Sequence, residues 1–363
     1  MTKSYSIFVA IMLALSVSAE GSLAAEKVRA LIPVRNIDES LAPFPVAKYL
    51  GYYAQEGLDV DLLAVGGSNE VAIQIAAGNG DVGEATPAQA VIGMQQNASA
   101  PLDLRYFYNA GYRNIWSISV PADSPVKTIA DLRGKKIGVT ALGSAGTTYG
   151  KAYIRSGGLN PDIDVTFVPI GAGPQAATAI QQKVVDAIVF WDAANVRFEL
   201  SGINVRPLKL DAKLEALPDV SILARNDVIR DKPKMLVGFA RAVSKALDFT
   251  LANPPAAVLI TWKMYPESRP KEKDPQKALA QGLKISQLRM AGWTNPKTGG
   301  KNGLFLEDDW KNLGAFLLRE KQITQPVPTS RMYTNDFIDE INKYDRAAVV
   351  RQAKEFDLKS VQQ

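Results

Sequence analysis

At 363 residues, 47% hydrophobic and 22% charged, the chain has the composition of a globular protein of two to three domains, not of a disordered tail or a coiled coil. It contains no cysteine and no histidine, which excludes disulfides, thiolate nucleophiles, metal centres ligated by either residue and every catalytic triad built on histidine. Its 42 Lys and Arg against 37 Asp and Glu are interspersed, and a net charge of +5 with no basic run gives no nucleic-acid surface.

The chain opens on an export signal. Lys3 precedes the apolar run Ile7 to Val17, which is long enough for a signal core and too short to span a bilayer. Ser22-Leu23-Ala24 fits the small-x-small cleavage rule, with Val17-Ser18-Ala19 as a second option. Removing residues 1–25 takes away Lys3 and Glu20, so the mature charge stays +5. Lipid anchoring of a bacterial lipoprotein needs a cysteine at the new N-terminus, and there is none. The expected product is a soluble periplasmic protein, cleaved near Ala24 and not a lipoprotein.

Short apolar runs then alternate with helical patterns. Val28–Val34 reads as a strand, Pro45–Gln55 as a helix closed by Gly57, and Leu58–Leu63 as a strand. Asn69–Ala77 suits a helix capped by Gly78, Asp81–Gly83 begins a strand, and Leu104–Tyr108 and Ile115–Val120 are strands. A second unit follows: a short helix at Thr128–Gly134, then a strand at Lys136–Thr140. A helix runs from the Gly143–Thr147 segment to about Ser156, followed by a strand at Val165–Pro169, a helix at Gly173–Gln181 and a strand at Ala187–Trp191. This rhythm predicts an α/β fold with mainly parallel pairing. From Asp231 onward amphipathic helices dominate: Lys232–Asn253, Pro255–Tyr265, Pro275–Met290, Glu307–Glu320, Thr334–Lys343 and Asp345–Glu355, with Gly299–Gly303 as the clearest flexible loop.

Four segments carry a family pattern in order. Ala47-Lys48-Tyr49-Leu50-Gly51-Tyr52-Tyr53-Ala54-Gln55-Glu56-Gly57-Leu58-Asp59-Val60 resembles A-x-x-x-G-(F/Y)-(F/Y)-x-x-E-G-L-x-V. Ala76–Gly83 resembles A-x-G-x-x-D-(V/I/F)-(G/A), and Asp123–Val139 resembles a D-S-P-(I/V)-K-(S/T)-(I/V)-x-D-L-(K/R)-G-K segment. Val184–Trp191 resembles the x-V-D-A-x-x-x-W part of G-x-V-D-A-x-x-x-W, and Met332–Ile338 resembles a common C-terminal element. Together these resemble the solute-binding proteins of ABC transporters, in the branch that takes sulfonates such as taurine, nitrate and thiamine precursors. The likeness covers residues 27–355. Eukaryotic pyrimidine-synthase relatives use a histidine and a cysteine-rich motif, and that chemistry does not carry over to a chain lacking both.

The resemblance implies a two-lobed type II periplasmic binding protein, each lobe a mainly parallel sheet flanked by helices, with a helical C-terminal elaboration. Lobe one would be 26–115 plus 225–363 and lobe two 116–224, with hinge crossings near 116–119 and 218–224. The implied function is capture of a small organic anion by hinge closure, for delivery to a membrane permease and its ATPase. No catalytic residue, cofactor, metal or nucleic acid is called for, and a monomer is usual for relatives. The alternative is a sensing protein that presents its ligand to a membrane receptor or kinase. A carboxylate enzyme would need Glu84 and Asp192 to face each other at about 5–10 Å.

Ligands of open α/β sheets bind beyond the carboxyl ends of strands, and that rule selects the candidate residues. Gly143, Ser144, Ala145, Gly146 and Thr147 open a helix, where free N–H groups and a dipole worth roughly 0.3–1 kcal/mol favour an anion. The competing reading is an ordinary capped helix with Ser144 as N-cap. Arg35, with Asn36 and Pro43 on the turn after the first strand, either pairs with an acid or is a solvated loop charge. Thr86 follows the strand at Asp81–Gly83; Asn109 and Tyr112 precede the first crossing; Trp191 either covers the ligand or packs in the core. Asp192 beside it argues for an amine, amide or hydroxyl on the ligand. Tyr106 and Tyr108 either line the cleft or fill the lobe.

Overall fold

The structure is a computed structural model that describes residues 24–96 and 101–361. Most of the expected export signal, residues 1–23, lies outside the described residues. Among those described, no helix is long and apolar enough to cross a membrane.

Among the described residues, ten strands form two five-stranded sheets. The first contains β1 (Glu26–Ile32), β2 (Leu58–Ala64), β3 (Val82–Ala85), β4 (Leu104–Asn109) and β10 (Ser221–Arg225), in the order β2-β1-β3-β10-β4. The second contains β5 (Trp116–Pro121), β6 (Lys136–Val139), β7 (Thr166–Pro169), β8 (Ala187–Trp191) and β9 (Val205–Pro207), in the order β7-β6-β8-β5-β9. The pairings make each sheet mixed in the same way. β10 runs antiparallel to both neighbours in the first sheet and β5 does so in the second, while the other strands share one direction. The chain leaves the first sheet after β4, enters the second at β5, and returns from β9 to β10.

Helices connect and cover the strands: α1 (Pro43–Tyr49), α2 (Tyr52–Gln55), α3 (Ser68–Ala76), α4 (Pro87–Gln96), α5 (Ala145–Ser156), α6 (Pro174–Gln181) and α7 (Asp192–Leu200). The single helix expected over Pro45–Gln55 is two, because Gly51 takes a left-handed conformation (φ 73°) that no helix interior accommodates. Gly57 and Gly78, also left-handed, close the turns where expected, their N–H groups donating to the carbonyls of Ala54 and Ile75.

The C-terminal helices Pro233–Ala252, Pro254–Met264, Pro275–Met290, Glu307–Arg319 and Arg346–Glu355 match their expected positions to within a residue or two. Two expectations there are corrected. Thr334–Lys343 is not one helix: only Ile338–Ile341 is helical. The Thr334 N–H instead donates to the Tyr106 carbonyl, and the Asn335 amide brackets the backbone of Phe305, which holds the start of the segment against β4 before it turns at Asp336–Phe337. The Gly299–Gly303 loop is anchored. The Gly303 carbonyl accepts the Asn109 N–H at 2.9 Å, and Asn302 is buried against Asp248 and Tyr344. A Cβ on Gly303 would sit 2.3 Å from the Tyr108 ring, so only glycine lets this loop reach the sheet.

The apolar core of the first sheet joins α1 and the Pro233–Ala252 helix around Phe44, Tyr53 and Phe239, with the Tyr53 and Phe239 rings stacked 5.3 Å apart. A second apolar cluster continues from one sheet to the other. Tyr149 of α5 stacks on Phe316 of the Glu307–Arg319 helix at 5.8 Å.

Candidate functional site

Charge pairs join the elements around the first sheet to those around the second. Arg197 of α7 reaches Asp38 and Glu39, each at 3.0 Å, in the turn after β1. Arg289, near the end of the Pro275–Met290 helix, lies 3.2 Å from Asp219 and 3.5 Å from Asp192 at the start of α7. Arg113 is 3.1 Å from Asp192, Lys284 is 2.7 Å from Glu199, and Arg155 of α5 is 2.9 Å from Glu320. Gln89 of α4 donates to the Thr148 hydroxyl of α5 at 3.2 Å. The C-terminal helices thus bind the first sheet to the second, which local sequence patterns did not reveal.

Several buried polar atoms in the same region have no hydrogen-bond partner: both carboxyl oxygens of Glu84, Asn109 Nδ2, Trp116 Nε1, the Tyr149 hydroxyl, Asn195 Oδ1, Asp219 Oδ1 and Arg289 Nε. Buried polar groups are nearly always paired, so these atoms are the open hydrogen-bonding capacity of the region. Burial pushes Glu84 up to about 8, with the nearby Arg289 charge opposing the shift and Asp219 and Asp38 adding to it. Burial likewise lifts Asp219 to about 6 against Arg289, and lifts Glu39 against Arg197.

The residues read from sequence distribute as follows. Arg35 and Asn36 are exposed on the bend after β1, and Pro43 is buried as the first residue of α1. Thr86 is buried and satisfied within its own sheet: its N–H donates to the Ser68 hydroxyl at 3.0 Å, and its carbonyl accepts from Tyr106. Asn109 accepts from the Ser221 hydroxyl and the Gly111 N–H, leaving its amide nitrogen free. Tyr112 turns away, donating to the Leu304 carbonyl at 2.8 Å. Tyr106 and Tyr108 are fully buried within the first sheet's packing.

At the start of α5, Gly143 is exposed, while Ala145, Gly146 and Thr147 are buried. Ser144 has the extended backbone of an N-cap but makes no capping bond, and Thr147 donates its hydroxyl to the Ala141 carbonyl at 2.9 Å. Gly146 owes its identity to packing: a Cβ there would lie 2.9 Å from the Trp116 ring and 3.0 Å from the Val189 carbonyl. Trp116 is sandwiched between Tyr149 (6.3 Å, stacked) and Trp191 (5.9 Å, edge-on), so Trp191 packs on an aromatic neighbour. Asp192 is already neutralised by its two arginines.

The structure therefore brings Asn109, the start of α5, Trp191 and Asp192 to one region, and leaves Arg35 and Asn36 outside its bonded network. Sequence reasoning missed Trp116, Tyr149, Asp219 and Arg289 as site residues, and gave Glu84 either a bond within its own lobe, which neither oxygen makes, or a place in a rival catalytic reading. The strand-end rule would have found Glu84; nothing local signals Arg289.

The family model described as NMT1/THI5 like matches residues 38–257. The chain belongs to the NMT1/THI5-like family. Among its relatives, the riboflavin-binding protein RibY of Chloroflexus aurantiacus is 26% identical over 301 residues, 82% of each chain. Of solved structures, the alkanesulfonate-binding protein SsuA of Xanthomonas axonopodis pv. citri, bound to MOPS, superposes with a TM-score of 0.63 at 18% identity, covering 86% of this chain and 99% of that one. The periplasmic aliphatic sulphonate binding protein SsuA of Escherichia coli gives 0.58 at 18% identity, covering 84% and 91%. The desulfurization enzyme DszB shares the fold as well, at 0.54 and 16% identity, covering 87% and 98%. The fold is that of the periplasmic binding proteins, and RibY, which aligns with 82% of the chain, is named a binding protein.

Proposed function

We propose that this NMT1/THI5-like protein is the periplasmic substrate-binding component of an ABC importer, which captures a small organic anion between two lobes by hinge closure. Lobe one is 26–115 plus 225–363 and lobe two 116–224, with the hinge near 116–119 and 218–224. The observation that carries this reading is the set of partnerless buried polar atoms lying where charge pairs join the two sheets. Buried polar atoms without partners cost stability, and a ligand that pairs with them recovers the loss. In this reading the first turn of α5 (Ser144–Thr147) receives the acid group. Asn109 supplies an amide donor, Trp191 covers one face, and Arg35 and Asn36 guard the entrance. The relatives named for riboflavin and sulfonates support small-molecule capture without fixing the ligand. Permease and ATPase are the partners that such a function requires.

The test is a thermal-shift screen of residues 25–363 against sulfonates, aromatic carboxylates, nitrate and amino acids. A ligand at about 100 times its Kd stabilises the folded state by about 2.7 kcal/mol. A shift confined to one acid class identifies the ligand class. No shift with any acid overturns the anion reading.

A further inference from the structure

Glu84 stands apart from every other charged group in this region. It is 2% exposed, and neither carboxyl oxygen has a partner. It sits at the carboxyl end of β3, where ligands of such sheets bind. Its direction follows from strand alternation. Gly83 faces α3, since a Cβ there would lie 2.4 Å from Val71 and 3.0 Å from Ile75. Glu84 therefore faces the opposite side, towards the charges of Arg289, Asp219 and Asp38.

A carboxylate placed there for structure would bind the guanidinium beside it. Arg289 gives its Nη1 to Asp219 and faces Asp192, and it makes no bond to Glu84. The other carboxylates are spent: Asp192 on Arg113 and Arg289, Asp38 and Glu39 on Arg197. Glu84 alone has both oxygens unpartnered, and even a protonated carboxyl keeps a carbonyl oxygen that accepts N–H and O–H donors.

We propose that Glu84 is the specificity-determining residue of the cleft, and that the ligand is an acid which also carries an N–H or O–H donor that Glu84 accepts. This rests on the ligand reading above and narrows it: a plain alkane sulfonate or inorganic anion leaves Glu84 unpaired, whereas an amino, amide or hydroxy acid satisfies both ends. A site built to pair with a donor rejects the analogue lacking it much more strongly than a missing methylene would be rejected.

The experiment uses matched probes. Each donor-bearing acid in the screen is titrated beside a partner in which methyl replaces the donor: 2-aminoethanesulfonate with propane-1-sulfonate, and 4-hydroxybenzoate with 4-methylbenzoate. The expected result is a donor-bearing acid that binds at least tenfold more tightly than its methyl partner. Glu84→Leu abolishes that preference, while Glu84→Gln, whose amide oxygen still accepts, keeps part of it. If Glu84→Leu does not fold, Glu84→Ala makes the same comparison. Equal binding of both partners, or a preference that survives in Glu84→Leu, overturns the role of Glu84 and leaves the anion reading standing. No binding by any acid overturns both.

Discussion

Replacing Glu84 by glutamine should change how stability depends on pH more than it changes stability at low pH. The wild-type carboxyl is held protonated by burial, with its pKa raised from the ordinary 4.5 to about 8, in the company of Arg289, Asp219 and Asp38. Between those two values the folded protein holds a proton that the unfolded chain has lost, so stability falls as pH rises through the window. At about 1.4 kcal/mol per pH unit, the rise from 4.5 to about 8 corresponds to about 5 kcal/mol lost by pH 8. Glutamine does not titrate. Asp219, raised to about 6, is present in both proteins and largely cancels in their difference. Chemical denaturation of both proteins from pH 4.5 to 9 should therefore give curves that diverge, with Glu84→Gln the more stable by several kcal/mol above pH 8. Parallel curves would show that Glu84 is ionised in the folded state and would refute its description as an unpaired buried acid.

Three further outcomes follow from the geometry. Arg289→Met leaves Asp219 buried without its counter-charge and should destabilise the protein by about 3–5 kcal/mol in chemical denaturation; adding Asp219→Asn should restore most of that. Arg197→Ala removes the charged hydrogen bond to buried Glu39 and should disfavour closure by about 1.5–3 kcal/mol, seen as a larger radius of gyration by small-angle scattering. Gly146→Ala forces a methyl against Trp116 and should cost about 1–3 kcal/mol, with a change in tryptophan fluorescence; an unchanged melting temperature would contradict the packing role of that glycine.

What the sequence made legible was set by how local the signal was. β8 (Ala187–Trp191) and the Pro275–Met290 helix are read to the residue, because one is a buried apolar run and the other is opened by an Asp-Pro cap and a sustained helical period. The break at Gly51 and the non-helical Thr334–Phe337 segment were not. Each depends on backbone conformation or on a hydrogen bond to a distant strand. The candidate site divides in the same way. Asn109, Trp191 and Asp192 follow from the strand-end rule, but whether a side chain is free or already spent is a long-range fact. Asp192 looked like the ligand-facing carboxylate until Arg113 and Arg289 were seen on it, the latter nearly a hundred residues away. Glu84, two residues before the well-satisfied Thr86, is the carboxyl group with both oxygens left open.

The central claim is ligand capture by closure, and a distance tests it most directly. Lys284 and Glu199 face each other at 2.7 Å across the two lobes, both half-exposed. The chain has no cysteine, so Lys284→Cys and Glu199→Cys accept spin labels without interference. Pulsed electron resonance on that pair should show a long, broad distance distribution in the free protein, which collapses to a short one when the acid giving the largest thermal shift is added. A distribution unchanged by a ligand shown to bind would contradict closure, and with it this account of how the protein works.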